Sequence, residues 1–246
     1  MTVIATIIAR GGSKRLPEKN IKDFCDHPLI AWTIIQARAC KRIDEIYVST
    51  DSDKIAKISR DYGAKIMMRD DPRESHDLTN GGVPLGIMSK KIMSKRHVDA
   101  FIQLFPSSPL RKPGDLDRLV DAFEETGKAH GYHIAIKDAF IYKKVDYHTC
   151  REIIRDKTDS YLYEIGGFNI VPARNYDQPD FDWDDPTTWQ ETAHPLDSEL
   201  HYYLLADWWQ AHEIDYQADF DLCQFFFERY LLAEWEAIYE QLCEGK

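Results

Sequence analysis

The chain has 246 residues, 43% of them hydrophobic, and a formal net charge of −11. That length supports one stable core burying roughly 70–75% of the unfolded surface, and the acidic balance argues against a nucleic-acid partner, because a polyanion is held by a basic face. No apolar run approaches the ~20 residues of a membrane helix and no basic segment leads into an apolar signal stretch, so no membrane partner is expected and the cytoplasm is the expected compartment.

Val3 to Ile8 is a near-continuous β-prone apolar run, the pattern of a parallel strand covered on both faces. It stops at Arg10-Gly11-Gly12-Ser13. Paired glycines let the backbone turn sharply, and their amides can line an anion-binding nest. Arg10, Lys14, Arg15 and Lys19 stand around this turn. A strand, a Gly-rich turn and convergent cations suggest a nucleotide polyphosphate site, although the same turn is equally readable as an exposed loop. Neither G-x-x-x-x-G-K-[ST] nor G-x-G-x-x-G is present.

Pro28 to Cys40 reads as a helix with Pro28 in its first turn. Glu45 to Ser49 is a second strand, and Thr50-Asp51-Ser52 supplies N-cap residues for a helix through Ile55, Ile58 and Tyr62 that Gly63 ends. A third strand over Ala64 to Met68 leads through a polar loop to a helix over Val83 to Met93. Val98 to Phe105 is the fourth strand, broken by Pro106-Ser107-Ser108-Pro109-Leu110-Arg111. A helix over Asp115 to Glu125 precedes a fifth strand near Tyr132 to Ile136. Strands and helices alternating in this way predict a doubly wound α/β layer with a largely parallel sheet. Ligands then bind beyond the strand carboxyl ends, where Arg10, Ser49, Asp51, Arg69 and Ser107 would share one rim.

From Asp138 to Tyr203 the periodicity loosens into turn residues, prolines, acids and exposed-looking tryptophans, Trp183 and Trp189. This stretch is expected to be an arm ordered by a partner subunit, with a mobile lid as the alternative. A single amphipathic helix from about Phe220 to Leu242 is expected to pack its apolar stripe into the core. The five cysteines show no paired spacing, and His130-x-x-His133 lacks a third neighbour, so neither a disulfide framework nor a zinc cage is expected.

Before the last helix, Glu213 and Asp215 lie two residues apart. In an extended segment their carboxylates share one side, about 6–7 Å apart, where they repel by roughly 3 kcal/mol at an effective dielectric near 20. A bound Mg²⁺ would remove that repulsion, although spacing alone leaves a metal site and a solvated acidic turn both open. Asp219 reads more simply as a partner of the helix N-terminus.

These residues carry a family resemblance. Ile8-Ala9-Arg10-Gly11-Gly12-Ser13-Lys14-Arg15-Leu16-Pro17-Glu18-Lys19-Asn20-Ile21 resembles the signature of the CMP-N-acetylneuraminate synthetase family, the acylneuraminate cytidylyltransferases, which includes enzymes for legionaminic and pseudaminic acids. Further matches are Pro28 to Ile34, Val48-Ser49-Thr50-Asp51, Tyr62-Gly63-Ala64, Pro106 to Arg111, and Glu213-Ile214-Asp215 with Asp219-Phe220. The resemblance implies a Rossmann-like nucleotidyltransferase fold, α/β with a mostly parallel sheet, helices on both faces and a protruding dimerisation arm. The catalytic unit would span 1–137 and 204–246, with the arm over 138–203 and a homodimer as the assembly.

It also implies transfer of CMP from CTP to the anomeric hydroxyl of a nonulosonic acid with release of pyrophosphate. Arg10, Gly11, Gly12, Ser13 and Lys19 would hold the triphosphate, with Asn20 beside the nucleotide and Arg69 near its base or ribose. Arg10, Lys19 and Asp215 would be catalytic, and Asp215 with Glu213 would hold Mg²⁺. Four departures stand out: Phe105 in place of a Gln, Ser107 in place of a Thr, Glu213 in place of an Asp, and Ile165-Gly166-Gly167-Phe168-Asn169-Ile170 in place of N-G-A-I-Y. They leave two alternatives open, a non-catalytic nucleotide-binding protein of the same fold and a nucleotidyltransferase for another sugar.

Overall fold

The fold is built outward from its first strand, β1 (Val3–Ile8), in a computed structural model of the chain. Residues 1–76, 79–137, 141–144, 150–154, 160–177 and 202–244 are the ones the structure describes. After β1 follow a two-residue hairpin, β2 (Asp23–Phe24) and β3 (His27–Pro28), then α1 (Leu29–Ala39), β4 (Glu45–Thr50), α2 (Asp53–Asp61) and β5 (Lys65–Met68). Next come α3 (Gly82–Met93), β6 (Ala100–Leu104), α4 (Asp115–Thr126) and β7 (His130–Lys137). The chain continues through β8 (Ile141–Lys144), β9 (Cys150–Ile154), β10 (Ser160–Pro172) and β11 (Tyr202–Leu205), and closes with α5 (Gln217–Tyr230) and α6 (Leu232–Glu244).

Seven strands form the central sheet in the order β11-β7-β10-β6-β1-β4-β5. The run β6-β1-β4-β5 is parallel throughout, and β11 is parallel to β7; only β10 runs against both its neighbours. The architecture is therefore α/β with a mostly parallel sheet. Alternation along β1 sorts its side chains between two cores. Val3, Ala5 and Ile7 join α1, α2 and α4 on one face, and Ile4 joins α3 on the other. The same division recurs on β6, with Ala100, Ile102 and Leu104 facing one way and Phe101 the other. Helices consequently cover both faces.

Every residue of α1 from Leu29 to Ala37 is buried, the signature of a helix covered on all sides. Its inner face lies on the sheet. Its outer face meets a third apolar cluster made with α5 and α6, in which Trp32, Phe24 and Phe227 pack ring against ring. Local capping agrees with the sequence at the next helix: the Ser52 hydroxyl accepts the Ile55 amide at 3.4 Å, and Gly63 takes φ +102° beyond the last turn, a conformation open to glycine at low cost.

Two expectations are corrected. The single C-terminal helix is two helices, because Leu231 leaves helical geometry (φ −128°, ψ −35°) and drops into the third cluster. The apolar stripe also divides: Phe226, Phe227 and Trp235 are buried, while Leu222, Phe225 and Tyr230 are exposed. A helix that is apolar on more than one face offers no periodicity to say which face packs.

Ser160–Pro172, inside the stretch expected as an arm, is a strand of the central sheet, and its Phe168, Ile170 and Val171 are buried. Among the described residues, β8 and β9 pair with each other and with no further strand. Trp183 and Trp189 lie outside the described residues, as does most of the remaining arm.

Replacing Trp32 with alanine tests the third cluster. The indole is fully buried and its N–H donates to the Phe24 carbonyl at 2.6 Å. Trp32→Ala is expected to cost about 3–5 kcal/mol, read as a lower urea midpoint with the slope unchanged.

Candidate active site

Four parallel strands end on one rim, and the chain order reverses at β1, whose neighbours are β4 on one side and β6 on the other. Such a switch point opens a crevice, because the connections leave it in opposite directions. A cleft of about 660 Å³ lies there. One wall is the segment after β1, with Arg10, Ser13, Lys14, Arg15, Lys19 and Asn20; facing it are Phe105, Pro106 and Ser107 after β6, Arg69 after β5, and Asp215 from before α5.

The first wall is held by its own backbone. Ala9 continues the ladder, donating to the Ser49 carbonyl at 3.0 Å. The Gly11 amide donates to the Asp51 carboxylate at 2.7 Å. A β-carbon at Gly11 would stand 3.0 Å from that of Ser52, so this close approach favours glycine. Gly11 and Gly12 do not line the cleft. The Gly11 amide is turned toward Asp51, and the cationic side chains, more than the glycine amides, form the cleft wall. Glu18, at φ +52°, folds the chain back into a short 3-10 turn over Lys19–Ile21. Asn20 is thereby buried, and its amide donates to the Arg10 carbonyl at 3.0 Å.

Arg69 is locked by the end of the neighbouring strand β4 and by the turn at Ser75. Its Nε donates to the Ser49 hydroxyl at 3.2 Å and its Nη1 to the Ser75 hydroxyl at 2.8 Å. Burial pulls its pKa down, partly offset by Asp51 and Glu74. Arg10 donates to the Ser75 carbonyl at 3.2 Å, so the two guanidiniums share one turn as an anchor.

The far wall depends on Arg111, which has no exposed surface. Its guanidinium donates to Gln36 Oε1 at 2.6 Å and to the Phe105 carbonyl at 2.7 Å, and its own carbonyl accepts the Trp235 indole N–H at 2.9 Å. Burial pushes its pKa down to about 9, against the pull of Asp115 and Glu213. The loop it fixes captures the acidic segment: the Ile214 amide donates to the Ser107 carbonyl at 2.8 Å, and the Ser108 hydroxyl donates to Glu213 at 3.2 Å.

Asp215 faces cations with both oxygens. Arg15 Nη1 lies 2.5 Å from Oδ2 and Lys19 Nζ lies 3.5 Å from Oδ1. Lys19 also donates to the Ile214 carbonyl. Desolvation lowers the Lys19 pKa, with Asp215 opposing. Glu213 keeps contact with water but is crowded by the loop, and this partial desolvation raises its carboxyl above the usual range. Ser108 pulls the carboxyl down and the Asp215 charge pushes it up. Asp219 accepts the amides of Asp215 and Tyr216 at 3.0 and 2.8 Å, the helix-start role read from the sequence.

Glu213 and Asp215 offer oxygen donors only, the type a hard divalent cation takes, and their mutual repulsion is what such an ion relieves. Among the described residues no group of three or more His, Cys, Asp or Glu side chains stands together. An ion here would complete its shell from phosphate and water, which is the habit of Mg²⁺ at nucleotide sites. The residues fit the ion. Burial drives the thiols of Cys25, Cys40 and Cys223 up to about 12, which keeps these three protonated and poor as nucleophiles.

Of the candidate residues read from the sequence, the structure gathers Arg10, Ser13, Lys19, Asn20, Arg69 and Asp215 on one cleft, with Glu213 behind Ser108. Sequence reasoning missed the part played by Arg15 on Asp215, by Asp51 on the glycine turn, and by Ser49, Ser75 and Ser108 as fixers of charged side chains. Asp51 and Ser49 were visible as strand-end residues. Ser108 was visible within the Pro106 to Arg111 segment, though not its contact with Glu213, and nothing local marked Ser75.

An α/β sheet with a cation-walled cleft at its switch point is the frame of a nucleotide-binding fold, and solved nucleotidyltransferases share this fold. The solved CMP:2-keto-3-deoxy-manno-octonic acid synthetase complexed with CTP superposes with a TM-score of 0.66 at 19% identity, covering 94% of this chain and 100% of that one. The family model described as Cytidylyltransferase matches residues 4–161, more than half of the chain, and the chain belongs to that family. It is 35% identical over 126 residues to post-translational flagellin modification protein B of Campylobacter coli, covering 49% of this chain and 52% of that protein. Against CMP-N,N'-diacetyllegionaminic acid synthase of Legionella pneumophila it is 36% identical over 132 residues, 52% of this chain and 56% of that protein. The chain thus spans about half the length of the curated relatives it matches.

The Ser108 contact can be tested directly. A hydroxyl that donates to the ionised carboxylate stabilises the charged form, so Ser108→Ala is expected to raise the Glu213 pKa further. Carbon-detected NMR titration of the Glu213 carboxyl reads this. In the unaltered protein it should titrate above an ordinary glutamate, and a cation site that uses it should weaken at correspondingly higher pH.

Proposed function

We infer that the protein is a CTP-dependent cytidylyltransferase that moves CMP onto the anomeric hydroxyl of a sialic-acid-like nonulosonic acid and releases pyrophosphate. The observation that carries this reading is the joining of Arg10, Lys14, Arg15, Lys19 and Arg69 with Asp215 on one cleft at the sheet's switch point, in a chain of the cytidylyltransferase family. The nonulosonic class is supported by the names of the relatives, which include pseudaminic acid cytidylyltransferase of Campylobacter jejuni, 33% identical over 124 residues.

Attack on the α-phosphorus spreads negative charge over the transferred phosphoryl and the departing pyrophosphate. Fixed cations stabilise that charge without reorganising at the moment of reaction. Arg10 and Lys19 bind the triphosphate, with Ser13 as a hydroxyl donor. Asn20 holds the Arg10 carbonyl and so keeps the strand end in register with the ligand. Arg69, immobilised by Ser49 and Ser75, contacts the base or ribose. Asp215 and Glu213 hold a divalent cation, taken here as Mg²⁺, which supplies further charge neutralisation on the phosphates when bound. Phe105 forms an apolar part of the wall and bears on which sugar acid is accepted.

Mixing CTP and Mg²⁺ with a panel of nonulosonic acids is expected to release pyrophosphate for at least one of them. Lys19→Ala and Asp215→Ala should each cut kcat/KM by on the order of a hundredfold or more, about 3 kcal/mol of transition-state stabilisation. Tight CTP binding with no turnover on any acid of the panel would leave a nucleotide-binding protein without this chemistry.

The working assembly belongs to the same proposal: a homodimer formed through the part of the 138–203 stretch that lies outside β10. Light scattering at micromolar concentration should give twice the chain mass, and a monomer mass would remove this part.

A further inference from the structure

Arg15 stands on the border between the phosphate-facing cations and the carboxylate pair. Its guanidinium lies 2.5 Å from Asp215 Oδ2 and over the Tyr216 ring, 5.6 Å from the centroid. It also lines the cleft beside Lys14 and Lys19. A divalent ion cannot share that oxygen with Arg15, because guanidinium and ion compete for the same lone pairs and repel each other.

The two partners differ in how firmly they are held. Asp215 is fixed from both sides, since its amide donates to Asp219 and the preceding residue donates to Ser107. Arg15 is not fixed in this way: 59% of its side chain is exposed, and so is 51% of that of Asp215. An ion pair this wet is a weak restraint. A triphosphate brings several negative charges to the same cleft, and phosphate matches the guanidinium fork as well as carboxylate does. The side chain free to change partner is Arg15.

We propose, on the basis of the nucleotidyl-transfer reading above, that Arg15 is a positioning residue that exchanges partners. It occupies Asp215 in the nucleotide-free protein and crosses to the triphosphate when nucleotide binds, leaving Asp215 to the divalent cation. Nucleotide entry therefore opens the cation site, and by linkage each of the two ligands raises the other's affinity. The exchange also keeps the carboxylate neutralised at every stage, so no buried or half-buried charge is left alone.

The test uses the full chain and two binding measurements in which no turnover occurs. Mn²⁺ is titrated into nucleotide-free protein and the free ion is counted by electron paramagnetic resonance. Arg15→Ala is expected to bind Mn²⁺ on the order of tenfold more tightly than the unaltered protein, and the gain should vanish in Arg15→Ala/Asp215→Asn. CTP is then titrated by calorimetry in EDTA, where Arg15→Ala should bind about tenfold more weakly and Arg15→Lys should recover part of the loss. A purely structural Arg15 would move neither quantity. Mn²⁺ affinity unchanged within twofold in Arg15→Ala, with CTP still bound by the unaltered protein, overturns the exchange alone. Unaltered protein that binds no CTP overturns the exchange and the underlying reading together.

Discussion

A guanidinium without exposed surface ties the cleft to the rest of the molecule. Arg111 reaches Gln36 of α1 and the carbonyl that ends β6, while its backbone accepts the indole of Trp235 from α6. Moving a charge out of water costs several kcal/mol, and the cost is tolerated only when hydrogen bonds replace the lost hydration. Here the guanidinium finds replacements on α1 and at the carbonyl that follows β6, while the backbone contact with Trp235 fixes the loop to α6. The 105–111 loop is thereby held in one shape, and that shape presents the Ser107 carbonyl and the Ser108 hydroxyl to the 213–215 segment. Without this loop the segment would keep the Asp219 contact on the Asp215 side, but Glu213 would lose its hydroxyl partner.

The cleft contains opposed charges held in two ways. Arg69, held by hydrogen bonds to Ser49, Glu74 and Ser75, and Asn20, buried with its amide on the Arg10 carbonyl, act as fixed walls. Arg15 is the looser partner, more than half exposed, set against Asp215 and the more deeply buried Lys19. This division matches the demands on a polyphosphate site, since binding geometry must be preorganised while the ligand's own charges must be able to displace protein partners. Desolvation of Lys19, opposed by Asp215, belongs to the same balance.

Much of the framework could be read along the chain. The β-prone run at Val3 to Ile8, the Ser52 cap and the Gly63 stop each express a local preference that tertiary packing reinforces. The expected strands and helices of the first 137 residues are all present, with ends shifted by a residue or two. Reading failed where local pattern and packing separated. The C-terminal helix broke at Leu231 because the third cluster draws that side chain inward. β10 was hidden because an antiparallel strand containing Gly166 and Gly167 has neither continuous apolarity nor clean alternation.

By itself, the sequence determined the alternation that makes an α/β layer, the glycine turn after β1, and the set of cations and carboxylates available for chemistry. Those follow from backbone preference and hydrophobic period, which act over a few residues. Only the tertiary structure decided that the Gly11 amide faces Asp51, that Ser108 and Arg111 hold the acidic segment, and that Arg15 lies on Asp215 across 200 residues of chain. The reason is physical: such pairings depend on which loops the parallel sheet brings to one rim, and electrostatic partners are chosen by distance in space.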